Sequence, residues 1–146
     1  MRLWHKDLID VLPDKQLIST WRECCAIIKN IETKGTPNHL LVNPVIDYNL
    51  GHFLYYASMI ADEMEKRNFN IKFYIFEKTY EKLNAKHEII PTYEEMFADW
   101  HNQRYLVQCY CNLQEKFDRG GISEKEWKKI YNKYKKLIKN RYLLNE

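Results

Sequence analysis

A chain of 146 residues with 45% hydrophobic content and a net charge of +3 can bury one core and is too apolar for a disordered polyelectrolyte. No apolar run reaches about 18 residues and no apolar segment follows Arg2, so neither a membrane span nor a secretory signal is expected and the default location is cytoplasmic. The four cysteines stand as Cys24-Cys25 and Cys109-x-Cys111, spacings that suit neither a zinc site nor an unstrained disulfide, which leaves reduced, half-buried packing thiols as the expectation.

The chain opens Met1-Arg2-Leu3-Trp4-His5. An α-amine has an ordinary pKa of about 7.7–8.0, so roughly a tenth of it is neutral at pH 7 and able to attack an aldehydic carbon. Pro13-Asp14 then offers a turn, after which Leu17, Trp21, Cys24, Ile28 and Ile31 recur at three- and four-residue steps until Lys34-Gly35, predicting an amphipathic helix. Its other face carries Arg22 and Glu23 among small side chains, so that a bulky ligand could approach them. A carboxyl group there could shuttle protons and a guanidinium could hold a phosphate as a planar fork. The plain alternative is a solvated Arg-Glu surface of little energetic weight.

Thr36-Pro37-Asn38-His39 is turn-rich and reads as a loop bordering that face. Asn43 before Pro44 predicts the start of a second helix that runs to about Arg67 on the stripe Leu50, Phe53, Leu54, Ala57, Ile60, Ala61 and Met64, with His52 on its less apolar side. The short apolar run Ile71 to Phe76 fits a strand or a helical turn equally by period, and residues 77–91 read as mostly polar. The capping box Thr92-x-x-Glu95 predicts a long third helix from Thr92 to Gly120-Gly121, with Trp100 and His101 more readily core than base-stacking groups.

A second capping box, Ser123-x-x-Glu126, opens a last helix with the stripe Trp127, Ile130, Tyr131, Tyr134, Leu137, Ile138 and Tyr142 and a lysine face of Lys128, Lys129, Lys133, Lys135, Lys136 and Lys139. Residues 122–146 hold eight basic residues against three acids, a net of +5 that leaves −2 for the rest, so a polyanion would be expected to lean on this helix. Trp127 beside those lysines suits a wedge or platform near a distorted base step, or packing against the third helix. No phosphate-binding glycine loop, metalloprotease His-Glu-x-x-His or nucleophile elbow is present, which argues against nucleotide hydrolysis and metalloprotease chemistry.

The residues Met1 to His5, Leu12, Leu17, Arg22, Glu23 and Cys24 together resemble the pyrimidine-dimer DNA glycosylases of the endonuclease V type, in particular a bacterial subgroup that begins Met-Arg-Leu-Trp-His and carries Arg-Glu-Cys on its first long helix. The likeness is weaker through Gly51-His52, Lys66 to Ile71 and Trp127. What the resemblance implies is a glycosylase and abasic-site lyase without metal or other cofactor, in which the Met1 amine attacks C1′, Glu23 is the acid/base, and the strand is cut by β-elimination. Arg2 and Arg22 would then hold phosphates of damaged double-stranded DNA, with His52 either a DNA contact or a structural hydrogen-bonder, Trp127 a DNA platform or packing residue, and Lys128, Lys129 and Lys133, on the charge pattern of the last helix, a phosphate track or a solvated face. Gln16 and Ala26 stand where the best-known member has a DNA-facing histidine and arginine, so lesion binding is expected to differ. The expected architecture is one all-α domain spanning residues 1–146, about four principal helices with the N-terminal segment threaded back near the first, acting as a monomer. The rival expectation is a non-catalytic helical protein that binds nucleic acid, a nucleotide or a protein partner.

Overall fold

In a computed structural model, which describes residues 2–83 and 88–145 and side chains as far as residue 138, the chain is all-helical. Five α-helices, α1 (Asp14–Lys34), α2 (Leu50–Lys66), α3 (Phe73–Leu83), α4 (Gln103–Asp118) and α5 (Glu124–Asn145), are accompanied by 3-10 turns at Lys6–Val11 and Asn43–Asp47. No helix among the described residues is long and apolar enough to cross a membrane.

The first helix spans the range its periodicity predicts, buries Leu17, Cys24, Ile27 and Ile28, and ends where Gly35 takes φ 73° and returns its N–H to the Ile31 carbonyl at 2.9 Å. It lies against α2 and α3, while α5 packs on α4 and on the Lys6–Val11 turn. One core runs through all of them, from Leu3, Leu8 and Leu12 through Phe53, Tyr56 and Ile60 of α2 to Leu106, Cys109 and Leu113 of α4 and Ile130 of α5. All four cysteines are free thiols, Cys24 and Cys109 buried, Cys25 partly buried and Cys111 exposed. Arg67 fastens the end of α2 to the start of α1, donating to Glu63 at 2.9 Å, to the Leu12 carbonyl at 2.6 Å and to Asp14 at 3.0 Å.

Three boundaries differ from expectation. Asn43-Pro44 starts only the 3-10 turn, and α2 begins afresh at Leu50, where the Asn49 side chain accepts from the Gly51 N–H at 2.9 Å. Gly51 is required there, since a Cβ would stand 2.9 Å from the Ile89 carbonyl oxygen. The ambiguous run near Ile71 and part of the polar stretch form α3, whose Phe76 and Tyr80 enter the core. The Thr92-Glu95 box closes as read, with Glu95 accepting from Thr92 at 2.8 and 3.0 Å, yet it opens a series of turns. Phe97 sits at φ 52°, outside helical geometry, and the helix starts only after Asn102, whose side chain accepts from the Tyr105 N–H.

Candidate active site

The segment before the first turn is a buried thread. Leu3, Trp4 and His5 are 0%, 6% and 0% exposed, and each turn of the backbone is tied down by a group from α2 or from the segment around α4. Tyr105 donates its hydroxyl to the Leu3 carbonyl at 2.6 Å, and Tyr56 donates to the Trp4 carbonyl at 2.6 Å. His5 Nδ1 accepts from the Asp7 N–H at 3.0 Å, so Nε2 carries the hydrogen and donates to the His101 carbonyl at 3.0 Å. His101 Nδ1 in turn accepts from the Lys6 N–H at 2.9 Å, which leaves its Nε2 buried without a hydrogen-bond partner among the rings of Tyr56, Phe97, Trp100 and Tyr105. Burial, seconded by the nearby Lys6 ammonium, holds the His101 pKa well below the usual histidine value, so it is neutral. Lys6 Nζ closes the anchor with bonds to the Tyr93 and Met96 carbonyls at 2.6 and 2.7 Å.

A cavity of about 460 Å³ opens where this thread meets α1 and α4. Arg2 and Trp4 come from the thread, Lys15, Gln16, Ser19 and Glu23 from one face of α1, Leu41 from the following loop, and Asn112 and Lys116 from successive turns of α4. Among the described residues, two polar atoms in this lining, Glu23 Oε2 and Gln16 Oε1, are buried with no hydrogen-bond partner. A buried acceptor left unmade is costly, so such atoms in a cavity call for a donor from beyond the described residues, the N-terminal amine or a ligand. Burial also raises the Glu23 pKa above the ordinary carboxyl value, against smaller opposing influences from the positive charge of the N-terminus and His39. A carboxyl group tuned upward exchanges protons nearer neutral pH.

Arg2 lies with its guanidinium 5.7 Å from the Trp4 ring centre and 5.9 Å from that of Tyr105, a cation held over aromatic faces with its charge at the cavity. Arg22 is exposed and outside the lining, so the structure joins Glu23 to Arg2 and Gln16 more closely than to its sequence neighbour. Met1 lies outside the described residues, as do the side chains of Lys139 and Tyr142. A second hollow of about 440 Å³ continues along Lys15, Gln16, Asn112, Lys116 and Arg119, with Glu115 its one acid. Lys15, Asn112, Lys116 and Arg119 carry no motif. The only sequence signal is that Lys15, Ser19 and Glu23 share a stripe on α1 and that Asn112 and Lys116 share one on α4, with Arg119 capping its end.

The remaining expected residues lie elsewhere. His52 Nδ1 accepts from the Phe97 N–H at 3.1 Å beside the Tyr48 ring, and burial lowers its pKa. Trp127 is stacked on Phe117 at 5.1 Å and lies 5.2 Å from Tyr110, within the α4/α5 packing. Lys133 pairs with Asp10 at 2.9 Å. Lys129 borders a hollow that also holds Asp10, Asp14, Glu63 and Glu126, and Lys128 is exposed. Among the described residues no group of three or more His, Cys, Asp or Glu side chains is placed to hold a metal ion.

A family model described as pyrimidine dimer DNA glycosylase matches residues 1–76, which is just over half of the chain. The chain belongs to the pyrimidine dimer DNA glycosylase family. The match takes in the thread, all of α1 with Gln16 and Glu23, and the Leu41 loop, while Asn112, Lys116, Arg119 and all of α5 lie beyond it. Comparison with curated proteins and with solved structures found no match.

Proposed function

We propose that this family member is a bifunctional DNA glycosylase and abasic-site lyase whose nucleophile is the N-terminal amine and whose acid/base is Glu23. The observation that carries the reading is the Glu23 carboxyl, partly buried, raised in pKa and with one oxygen unpartnered among the described residues, in a cavity it shares with Arg2. The amine of Met1 attacks C1′ of the damaged nucleotide, and the bond from C1′ to the base breaks. Protonated Glu23 gives its hydrogen to the sugar ring oxygen as the ring opens and a C1′ imine forms. The resulting carboxylate removes a 2′ proton, and the electron pair moves to expel the 3′ phosphate. Hydrolysis of the imine then returns the amine.

The thread serves this chemistry by fixing the chain direction. With Leu3, Trp4 and His5 each held by a buried hydrogen bond, the flexible reach of the nucleophile is cut to the first residues, which lowers the entropy cost of attack. Arg2, Lys15, Lys116 and Arg119 give the cavity and its continuing hollow a cationic edge suited to the phosphates of one strand, with Arg22 and the α5 lysines as outlying contacts. Selection of a lesion would come from the ease with which a poorly paired nucleotide leaves the stack, so little sequence preference is expected.

The test is Glu23→Gln on a duplex with one abasic site. Lost strand cleavage, with an unchanged far-ultraviolet circular dichroism spectrum and retained DNA binding, supports the role of Glu23. Full cleavage removes Glu23 from the mechanism.

A further inference from the structure

Two leucines stand out in the loop beside the cavity. Leu40 is 83% exposed and Leu41 45% exposed, side by side in a chain whose other loop anchors, Pro37 and Val42, are buried. The loop that presents them is held on both sides. Asn30 of α1 donates to the Pro37 carbonyl at 3.1 Å, and the His39 N–H donates to the Asn43 side chain at 3.0 Å. Val42 and Asn43 N–H groups both donate to the His39 carbonyl, at 3.1 and 2.8 Å, and the Leu41 N–H donates to His39 Nδ1 at 3.2 Å. Asn38 takes φ 62° to turn the chain at the tip. A loop so braced does not fold its leucines back onto the core.

We infer that Leu40 and Leu41 form a rigid apolar wedge that enters the base stack of duplex DNA at the lesion, resting on the reading of the cavity given above. Position favours this occupant over a protein or membrane partner. Leu41 lines the same cavity as Glu23, whose remaining walls carry Arg2, Lys15 and Lys116, so an apolar tip and a cationic edge meet at one place. Duplex DNA offers that same pairing of surfaces, an apolar stack flanked by phosphates. Apolar side chains inserted at a base step unstack and kink the duplex, most cheaply where pairing is already damaged. Leu41, in the cavity lining it shares with Glu23, would occupy the space the target nucleotide leaves as it unstacks, and Leu40 would reach the neighbouring step.

The experiment uses a duplex with a tetrahydrofuran abasic analogue and 2-aminopurine at the adjoining position, titrated with the full chain. Wild type is expected to raise the 2-aminopurine fluorescence. The Leu40→Ala/Leu41→Ala variant is expected to lose most of that rise, to bind this duplex on the order of tenfold more weakly, and to lower the ratio of duplex to single-strand borohydride trapping. Leu40→Met, which keeps a long apolar side chain, is expected to retain the signal. Because Leu40 is the more exposed of the two, the single Leu40→Ala variant carries the test if the double variant does not fold. An undiminished fluorescence rise and affinity in the leucine variants would overturn the wedge and leave the Glu23 chemistry standing. Absence of any trapped adduct from wild type on abasic duplex would overturn the functional reading itself, and the wedge with it.

Discussion

Two basic regions of this protein look alike in composition and differ in physics. On α5, seven lysines and one arginine lie within residues 122–146, but the structure pairs Lys133 with Asp10 and sets Lys129 at a hollow where four acids, Asp10, Asp14, Glu63 and Glu126, balance it together with Lys66, Arg67 and Lys125. At the α1/α4 edge there are fewer cations, yet Lys15, Lys116 and Arg119 take part in none of the ion pairs among the described residues; Lys15 and Lys116 line the cavity of Glu23, whose Oε2 has no hydrogen-bond partner among those residues, and Arg119 lines the hollow that continues it. A paired surface cation has part of its field already answered, whereas an unanswered one keeps it for an incoming polyanion. Counting lysines along a helix therefore says less about where DNA would lie than asking which lysines lack acids nearby.

The largest effect expected from breaking this contrast is at Glu23. Glu23→Gln should lower the single-turnover lyase rate by on the order of 10²–10⁴ while duplex affinity holds. The next is electrostatic: Lys15→Gln/Lys116→Gln/Arg119→Gln should flatten the slope of log Kd against log salt by about 2–3. Lys128→Gln/Lys129→Gln/Lys133→Gln should change the slope less. The reverse order, read from the same titrations, would assign the DNA surface to α5.

Smaller effects sharpen the account of the thread. Tyr56→Phe leaves the Trp4 carbonyl buried without its donor, at a cost of about 1–3 kcal/mol visible as a lower Tm and accompanied by a fall in kcat without loss of duplex binding. An unchanged kcat would mean that the thread does not position the nucleophile. The smallest effects are in pH dependence. The Glu23 carboxyl is raised in the folded state, so the fold binds its proton more tightly than the unfolded chain does, and stability falls as pH rises through that interval. Glu23→Gln should thus melt slightly above wild type at pH 7, with the difference closing toward pH 3. His101 has the opposite sign: depressed in the fold, it contributes stability above the ordinary value of 6.5 that is lost as pH falls below it. A wild-type Tm that does not decline below that pH would contradict the neutral His101 that holds the thread.

Helix α1 was legible because its stripe and its glycine stop agree, and α5 because its capping box is followed by an uninterrupted period. The Thr92-Glu95 box was equally clear and misleading, since a cap satisfies backbone donors wherever it forms, and the turn of Phe97 into the aromatic cluster around His101 and Trp100 ends the helical path within a few residues. The third helix α3 was ambiguous because six apolar-rich residues suit either period, and only packing of Phe73 and Phe76 against Trp21 decides it. Of the site, Glu23 and Arg2 could be named from the sequence through the resemblance. Asn112 and Lys116 of the cavity and Arg119 of its continuing hollow could not, because only the fold brings them opposite α1, from some ninety residues away in the chain.

The most direct test of the account is borohydride trapping on a duplex with one abasic site, comparing tag-free protein with N-acetylated protein and with a version carrying one extra N-terminal residue. The account predicts a covalent adduct that maps to the N-terminal peptide and disappears on acetylation. Retained duplex binding with no adduct, or an adduct that survives acetylation, would contradict an N-terminal imine.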